Sequence, residues 1–334
     1  MNPRVSIIVP CYNERTTIRF LLEAVLAQTY PRSQIEVVIA DGGSQDDTVD
    51  IIRDFHGGNP DLALQVVENE RRTIPSALNL AIAGAHGEVI VRLDAHSMPI
   101  PEYVARCVAA LEAGQGTVVG GVWMIRPGGP GWIAQSISVA AAHPLGVGDA
   151  LYRLNASAGP VDTVPFGSFR RELIGTIGGF DESLLANEDY EFNTRVREQG
   201  GTVWLDPQIR STYIARSSLT ELARQYWRYG YWKLKMLRRY PSSIRWRQAL
   251  PPLFVASLAA LASMSLFWPL ARYALLFEFF AYSLTLAIAG MSLALQQRSL
   301  QLVPGFMLAV ATMHLSWGSA FLWSLISGLS TDHG

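Results

Sequence analysis

Residues 4–43 read RVSIIVPCYNERTTIRFLLEAVLAQTYPRSQIEVVIADGG, and the order of patterns in this stretch decides the fold. One apolar run, RVSIIV (4–9), is stopped by Pro10, and a second, IEVVIA (35–40), ends at Asp41-Gly42-Gly43. Between them Ile18, Leu21, Leu22, Val25 and Leu26 recur at helical spacing. Short continuous apolar runs suit strands buried on both faces, and the 3.6-residue period between them suits a helix covering one face. A second helical stretch at 74–85 leads to a third run, EVIVRL (88–93), which stops at Asp94. Strand, helix, strand, helix, strand predicts a Rossmann-like α/β domain with a mostly parallel sheet, whose ligands bind beyond the carboxyl ends of the strands. Tyr12-Asn13-Glu14, Asp41-Gly42-Gly43-Ser44 and Asp94-Ala95-His96 occupy those ends and are expected to converge on one crevice.

The rest of the chain differs in kind. The 334 residues are 49% hydrophobic and only 16% charged, against ~25% in an average soluble domain. A net charge of −1 excludes a nucleic-acid binder that works by bulk positive charge, and two cysteines exclude a disulfide framework. That near-neutral total hides two unlike parts. From residue 222 onward ten Lys/Arg face only Glu278 and Asp332, a net of +8, which leaves −9 on the first 221 residues. The basic part holds three apolar runs, 249–268, 273–295 and 302–328, each meeting the ~20 residues that a helix needs to cross a bilayer.

Three such runs joined by short connections are expected to be transmembrane helices. Six Lys/Arg lie between residues 233 and 247, just before the first run, and basic flanks stay in the cytoplasm. No signal-peptide pattern opens the chain, so its N-terminal half is expected in the cytoplasm. The tail after Gly328 has no Lys or Arg, which places the C-terminus outside after three crossings. The expected organisation is a catalytic domain at 1–216, basic amphipathic interfacial helices at 217–248 and the three spans.

The motifs carry a resemblance. Ile8-Val9-Pro10-Cys11-Tyr12-Asn13-Glu14 followed by Asp41-Gly42-Gly43-Ser44-Gln45-Asp46 resembles the opening of the family 2 glycosyltransferases. The similarity continues through Arg92-Leu93-Asp94-Ala95-His96, Gly167-Ser168-Phe169-Arg170-Arg171, Gly178-Gly179-Phe180-Asp181-Glu182, Asn187-Glu188-Asp189-Tyr190-Glu191 and Gln225-Tyr226-Trp227-Arg228-Tyr229. It covers residues 4 to about 240 in the family's order, and the succinoglycan-biosynthesis, ExoA-like branch is similar in also ending in membrane helices. The resemblance implies a GT-A fold and an inverting, metal-dependent transfer of sugar from a nucleotide sugar, most simply a UDP-hexose. The acceptor it implies is a saccharide on a polyprenyl diphosphate at the cytoplasmic membrane face, in exopolysaccharide or cell-envelope glycan biosynthesis.

By the same resemblance, Pro10, Tyr12, Glu14, Asp41, Ser44 and Asp94 hold the nucleotide sugar, with Asp46 nearby. An acceptor-only carboxylate at a strand end suits the imide N–H of uracil, although Asp41-Gly42-Gly43 also reads as a plain strand-to-loop turn. Asp94 and His96 stand where the family has its metal-binding DxD, and His for the last Asp tilts the cation toward Mn2+ without excluding Mg2+. Asp189, with Glu188 as understudy, matches the catalytic base, while Glu191 reads as a solvated helix acid. The plainer alternative is a charged helix N-terminus, where acids are favoured anyway. Gln225, Arg228 and Tyr229 resemble the QxxRW motif that borders the acceptor and diphosphate, with Tyr in place of Trp.

Trp227, Tyr231 and Leu234 also fall at i, i+4 and i+7, as on an interfacial helix. His56, His86 and His143 have no ligand-spaced partners, Cys11 has no base to activate it, and Glu278 reads either as a polar helix–helix contact or as part of a lipid or sugar path. Three other readings compete: a transferase acting on polyprenyl phosphate itself, a processive synthase, and a non-catalytic membrane scaffold. Three spans, all after the catalytic half, argue against a translocation channel within one chain and so against the processive synthase, and the presence of every expected acid argues against the scaffold.

Overall fold

In the computed structural model, which describes residues 3–154, 156–243 and 245–329, the expected alternation is realised in order. The chain runs β1 (Val5–Cys11), α1 (Ile18–Leu26), β2 (Ile35–Asp41), α2 (Thr48–Gly58), β3 (Ala63–Glu68), α3 (Ile74–Gly84) and β4 (Val89–Arg92). β3 escapes the sequence pattern because it is an outer strand, paired only with β2 and partly exposed along its length. β1 lies between β2 and β4, all parallel, with Cys11 opposite Asp41 and Ile8 opposite Arg92, so the carboxyl ends line up at one edge.

Successive residues of these strands feed two cores. Val5, Ile7, Val9, Val37, Ile39 and Val91 pack with Ile18, Leu21 and Leu22 of α1 and Ile52 and Phe55 of α2. Ile8, Val38, Ala40 and Ile90 pack on the other face with Ala77, Leu78 and Ala81 of α3. Burial on both faces is why the strands read as continuous apolar runs.

After β4 come β5 (Met98–Pro99), α4 (Tyr103–Glu112), β6 (Val118–Arg126), α5 (Trp132–Ala140), α6 (Pro144–Val147), β7 (Gly159–Pro160), β8 (Ser168–Arg170), α7 (Leu173–Ile177), α8 (Glu188–Glu198) and β9 (Val203–Ile214). The sheet order is β3-β2-β1-β4-β8-β6-β9-β5, with β7 on β9. β8 is antiparallel to both β4 and β6, and β9 is antiparallel to β5 and β7. The sheet is therefore mixed, with its parallel part confined to β3-β2-β1-β4. Strands of two or three residues leave no periodicity to read.

The chain forms two compact units, Met1–Met124 with Leu151–Tyr213, and Ile125–Ala150 with Ile214–Gly334. The second junction falls after Tyr213, and residues 125–150 belong to the helical unit. There they join α9 (Leu219–Arg239), α10 (Trp246–Met264), α11 (Pro269–Gln297) and α12 (Leu302–Leu329). α5 buries Ala134, Ile137 and Ala140 and lies against α12, where a Cβ on Gly305 would come within 2.0 Å of Ser136 Oγ. α9 packs extensively on α12, and a Cβ on Gly230 would sit 2.2 Å from the carbonyl oxygen of Trp317. Its buried face is Leu222, Gly230, Lys233, Met236 and Leu237, whereas Trp227 of the expected interfacial stripe is 43% exposed.

Two helices, Pro269–Gln297 and Leu302–Ser327, are long and apolar enough to cross a membrane. The third expected span, 249–268, is helical only to Met264, because α10 begins at Trp246 and residues 265–268 turn. Residues 249–264 extend ~24 Å as a helix, short of the ~30 Å hydrocarbon core. Residues 330–334 of the C-terminal tail lie outside the described residues.

Candidate active site

The β1–α1 and β2–α2 loops are laced to each other. Asn13 adopts a left-handed backbone (φ 54°), accepts the Gln45 N–H at 2.8 Å, and donates its own N–H to Ser44 Oγ at 2.8 Å. The Glu14 N–H donates to Thr48 Oγ1 at 2.8 Å. Asp46 accepts from Thr48 and Arg15 and is held below the usual carboxylate range: slight burial pushes it up, and these hydrogen bonds outweigh that. Asp41 accepts the N–H groups of Gly43 and Ser44, each at 2.9 Å, and Ser44 Oγ–H at 2.6 Å. The turn reading of this acid is thus correct in geometry; three of about four acceptor positions are taken. Tyr12 stands 45% exposed, its ring close over Gly42, where a Cβ would lie 3.1 Å from Tyr12 Cδ2.

His96 joins this group. Its Nδ1 lies 3.1 Å from Glu14 Oε1, and Glu14 Oε2 accepts Thr17 Oγ1–H. A carboxylate that fixes one ring nitrogen orients the imidazole, as in metal-ligating histidines.

Two residues before Asp94 lies the residue that organises the rest. Arg92 ends β4 and is 2% exposed. Its Nη1 donates to Asp189 Oδ1, and its Nη2 donates to Glu188 Oε1 at 3.0 Å and Asp94 Oδ1 at 3.2 Å. The guanidinium lies 5.9 Å from the Phe166 ring centroid, and Phe166 itself is buried with a left-handed φ of 53°. Such a conformation in a bulky residue is strained and persists only where its surroundings enforce it. Phe166 in turn touches Trp123, which stacks on Tyr213 at 4.2 Å.

Glu188 and Asp189 open α8 after Asn187, a left-handed cap with φ 66°. Acids in the first turn and Arg195 and Arg197 in the last suit the helix dipole, so the bland explanation of these acids holds for Glu191. It fails for Glu188 and Asp189, which are turned onto a buried arginine. The Asp189 carboxyl is raised to about 7, by burial first and then by Glu188 and Asp94, against the opposing pull of Arg92. Those three acids hold Arg92 firmly charged against the opposing effect of burial.

Three carboxyl groups thus share one guanidinium. Among the described residues no three His, Cys, Asp or Glu form a ready metal cluster. Asp94, engaged only through Oδ1, and His96 are a donor pair that fits a divalent cation completed by diphosphate oxygens.

One placement departs from expectation. Glu191 is not solvated: it is 0% exposed, with both oxygens on Arg195, at 2.5 Å from Nε and 2.8 Å from Nη2. Cys11 is a buried thiol pushed up first by burial, then by Asp41, Glu14 and Asp46, and is inert. His143 caps α6, its Nδ1 accepting the Leu145 N–H at 3.1 Å, and His86 lies 3.4 Å from Glu36. Pro10 lies within β1, one residue before its end, opposite Ala40. Gln225, Arg228 and Tyr229 belong to the helical unit, on α9, where Gln225 Nε2 donates to Tyr229 Oη at 3.1 Å. Glu278 makes a helix–helix contact, accepting Ser257 Oγ–H at 2.5 Å. Arg92 went unassigned, although a lone charge inside an otherwise apolar strand run was a visible signal.

This fold, with acids at three strand ends and a helix start, defines a GT-A-type glycosyltransferase. The family model described as glycosyl transferase family 2 matches residues 6–178, just over half of the chain, and the chain belongs to that family. α8 lies beyond the matched residues. The succinoglycan biosynthesis protein ExoA of Rhizobium meliloti (strain 1021) is 29% identical over 327 residues, covering 96% of this chain and 94% of the relative. A Methanococcus voltae protein is 27% identical over 248 residues, 72% of this chain and 76% of the relative. It is named dolichyl N-acetyl-alpha-D-glucosaminyl phosphate 3-beta-D-2,3-diacetamido-2,3-dideoxy-beta-D-glucuronosyltransferase. Among solved structures, the mannosyltransferase PcManGT from Pyrobaculum calidifontis, in complex with GDP-Man and Mn2+, superposes with a TM-score of 0.62 at 25% identity. That similarity covers 94% of this chain and 88% of the other.

Proposed function

We propose that the chain is an inverting, cation-dependent transferase that moves a hexosyl unit from a UDP-sugar to a saccharide carried on a polyprenyl diphosphate. The observation that carries this reading is the Arg92-centred group, which sets Asp94 of the donor side beside the acids of α8. The Methanococcus relative's name gives a lipid-linked sugar phosphate as its acceptor, which supports a lipid-linked acceptor, and PcManGT was captured with GDP-Man and Mn2+, which supports a nucleotide-sugar donor and a divalent cation.

Tyr12, Glu14, Asp41 and Ser44, with Pro10 beside them, line the nucleotide side, Tyr12 offering a ring face and Asp41 a remaining acceptor site. A divalent cation at Asp94 and His96 would neutralise the departing diphosphate. Asp189 takes the proton of the acceptor hydroxyl as its oxygen attacks the anomeric carbon from the face opposite the diphosphate; the new C–O bond forms as the bond to diphosphate breaks, and configuration inverts. Glu188 holds the second acidic position on Arg92. Gln225, Arg228 and Tyr229 border the acceptor's diphosphate.

Attachment to the cytoplasmic membrane face is supported by α11, whose Phe277, Phe280, Leu284, Ile288, Met291 and Leu295 form one exposed apolar stripe. Basic residues before it suit anionic headgroups.

The test is Asp189→Asn, assayed in membranes with labelled UDP- and GDP-sugars and lipid extract. It is expected to retain nucleotide binding and lose transfer; an Asn variant that transfers at near wild-type rate overturns the base assignment. Supplying bare polyprenyl phosphate and the lipid-linked saccharide separately decides the acceptor.

A further inference from the structure

We propose that Arg92 is a positioning residue that keeps the base carboxylates off the donor's cation: its guanidinium fills, as a fixed monovalent charge, the space between Asp94 and the Glu188–Asp189 pair. This deepens the reading above and rests on Asp189 being the base. Three carboxylates donated to by one guanidinium have their oxygens within the span of that group. A hard divalent cation accepts six or more oxygens and gathers any carboxylates within reach. Without the guanidinium, the cation drawn to Asp94 would collect Glu188 and Asp189 as well, and a carboxylate whose lone pairs face a metal is no longer available to a proton.

The choice of arginine follows from the same geometry. Its planar fork directs separate N–H groups at several carboxylates, and it stays charged at any working pH, so it is not lost by deprotonation when the cation arrives. The anchoring is by the acids themselves: Nη1 and Nη2 make all three bonds, while the buried Nε has no hydrogen-bond partner. Below the group the Phe166 ring closes the space. Arg92 thus separates two uses of acid chemistry that lie side by side, with Asp94 serving the diphosphate and Asp189 serving the hydroxyl.

The experiment uses the full chain in detergent, with Arg92→Gln and Arg92→Lys, and reads Mn2+ alone by calorimetry, nucleotide·Mn2+ affinity, and transfer kinetics. Arg92→Gln is expected to bind Mn2+ without nucleotide about tenfold more tightly than wild type, because three carboxylates replace one in the ligand count. Its kcat is expected to fall by about 10²-fold, the lower range for loss of a general base, with little change in donor KM. Arg92→Lys keeps the charge and is expected to restore wild-type Mn2+ affinity and part of the rate.

Wild-type kcat in Arg92→Gln overturns the proposal. So does a loss confined to donor KM with unchanged Mn2+ affinity, which would make Arg92 a donor contact. If Arg92→Gln does not fold, Arg92→Lys decides by the same readouts: wild-type Mn2+ affinity with reduced kcat supports the proposal, and raised Mn2+ affinity or full kcat overturns it. Asp189→Asn separates the two levels. If that variant is active, the base reading has failed; if it is inactive while Arg92→Gln transfers normally, only this inference has.

Discussion

Glu191→Gln tests how far the first turn of α8 is held by buried charge. Glu191 has no exposed surface and gives both oxygens to the fork of Arg195, which is 17% exposed. Arg195 spends its remaining donors on the carbonyls of Ile177 at 2.5 Å and Gly179 at 2.7 Å, so the pair ties α8 to the Gly178-Gly179-Phe180 turn. In the Gln variant one amide NH2 faces an Arg N–H, and the guanidinium keeps only carbonyl partners. Breaking one side of a buried pair costs about 3–5 kcal/mol. For a unit of this size each kcal/mol moves Tm by about 2–4 °C, so a fall of about 10 °C is expected.

The assay is thermal unfolding of the full chain in detergent, with hydrogen exchange of peptides spanning residues 177–199 to localise the change. Replacing both partners, as Glu191→Leu with Arg195→Met, should recover much of the loss, since no orphaned charge remains. A Glu191→Gln variant melting within about 2 °C of wild type, with unchanged exchange in that segment, would refute the reasoning.

Other expectations can be checked alongside. The proposed base role of Asp189 requires its ionised form, and burial raises this carboxyl to about 7, so kcat/KM should fall as pH drops through the neutral range; a flat profile from pH 5 to 8 would exclude the role. Glu36 is buried, which pushes its pKa up, but hydrogen bonds from Ser6, His86 and Gly87 and the nearby Arg4 outweigh this and hold it below its ordinary value. Its contribution to stability is therefore present above the unfolded-state pKa and lost as pH falls through the lower folded value, a component of acid unfolding that Glu36→Gln should remove. Phe280→Arg with Leu284→Arg places charge on the exposed stripe of α11 and should release the protein from sedimented membranes, while surface charges added to α2 should not.

How much of this was legible beforehand depended on the range of the interactions. β1, α1, β2, α3 and β4 announced themselves because continuous apolar runs and a 3.6-residue stripe are local consequences of burial on two faces or one. The acids at strand ends were placed by the same reasoning, and Asp41, Asp94 and Glu14 are where it put them. Glu191 was misread because an acid in a first helical turn looks the same whether water or Arg195 faces it. The apolar run to 268 outlasts its helix, which stops at Met264, because apolarity alone does not record where a helix ends.

The sequence by itself determined the parallel half of the sheet, the edge at which its polar strand-end residues gather, and the division of charge between an acidic N-terminal part and a basic, apolar C-terminal part. Only the tertiary structure decided that residues 125–150 pack with the C-terminal helices, and that one buried arginine at the end of β4 holds Asp94 together with two acids almost a hundred residues away. Periodicity and capping record what a segment does with its neighbours in the chain. Which carboxylates share a guanidinium depends on how separate elements pack, and no local pattern carries that information.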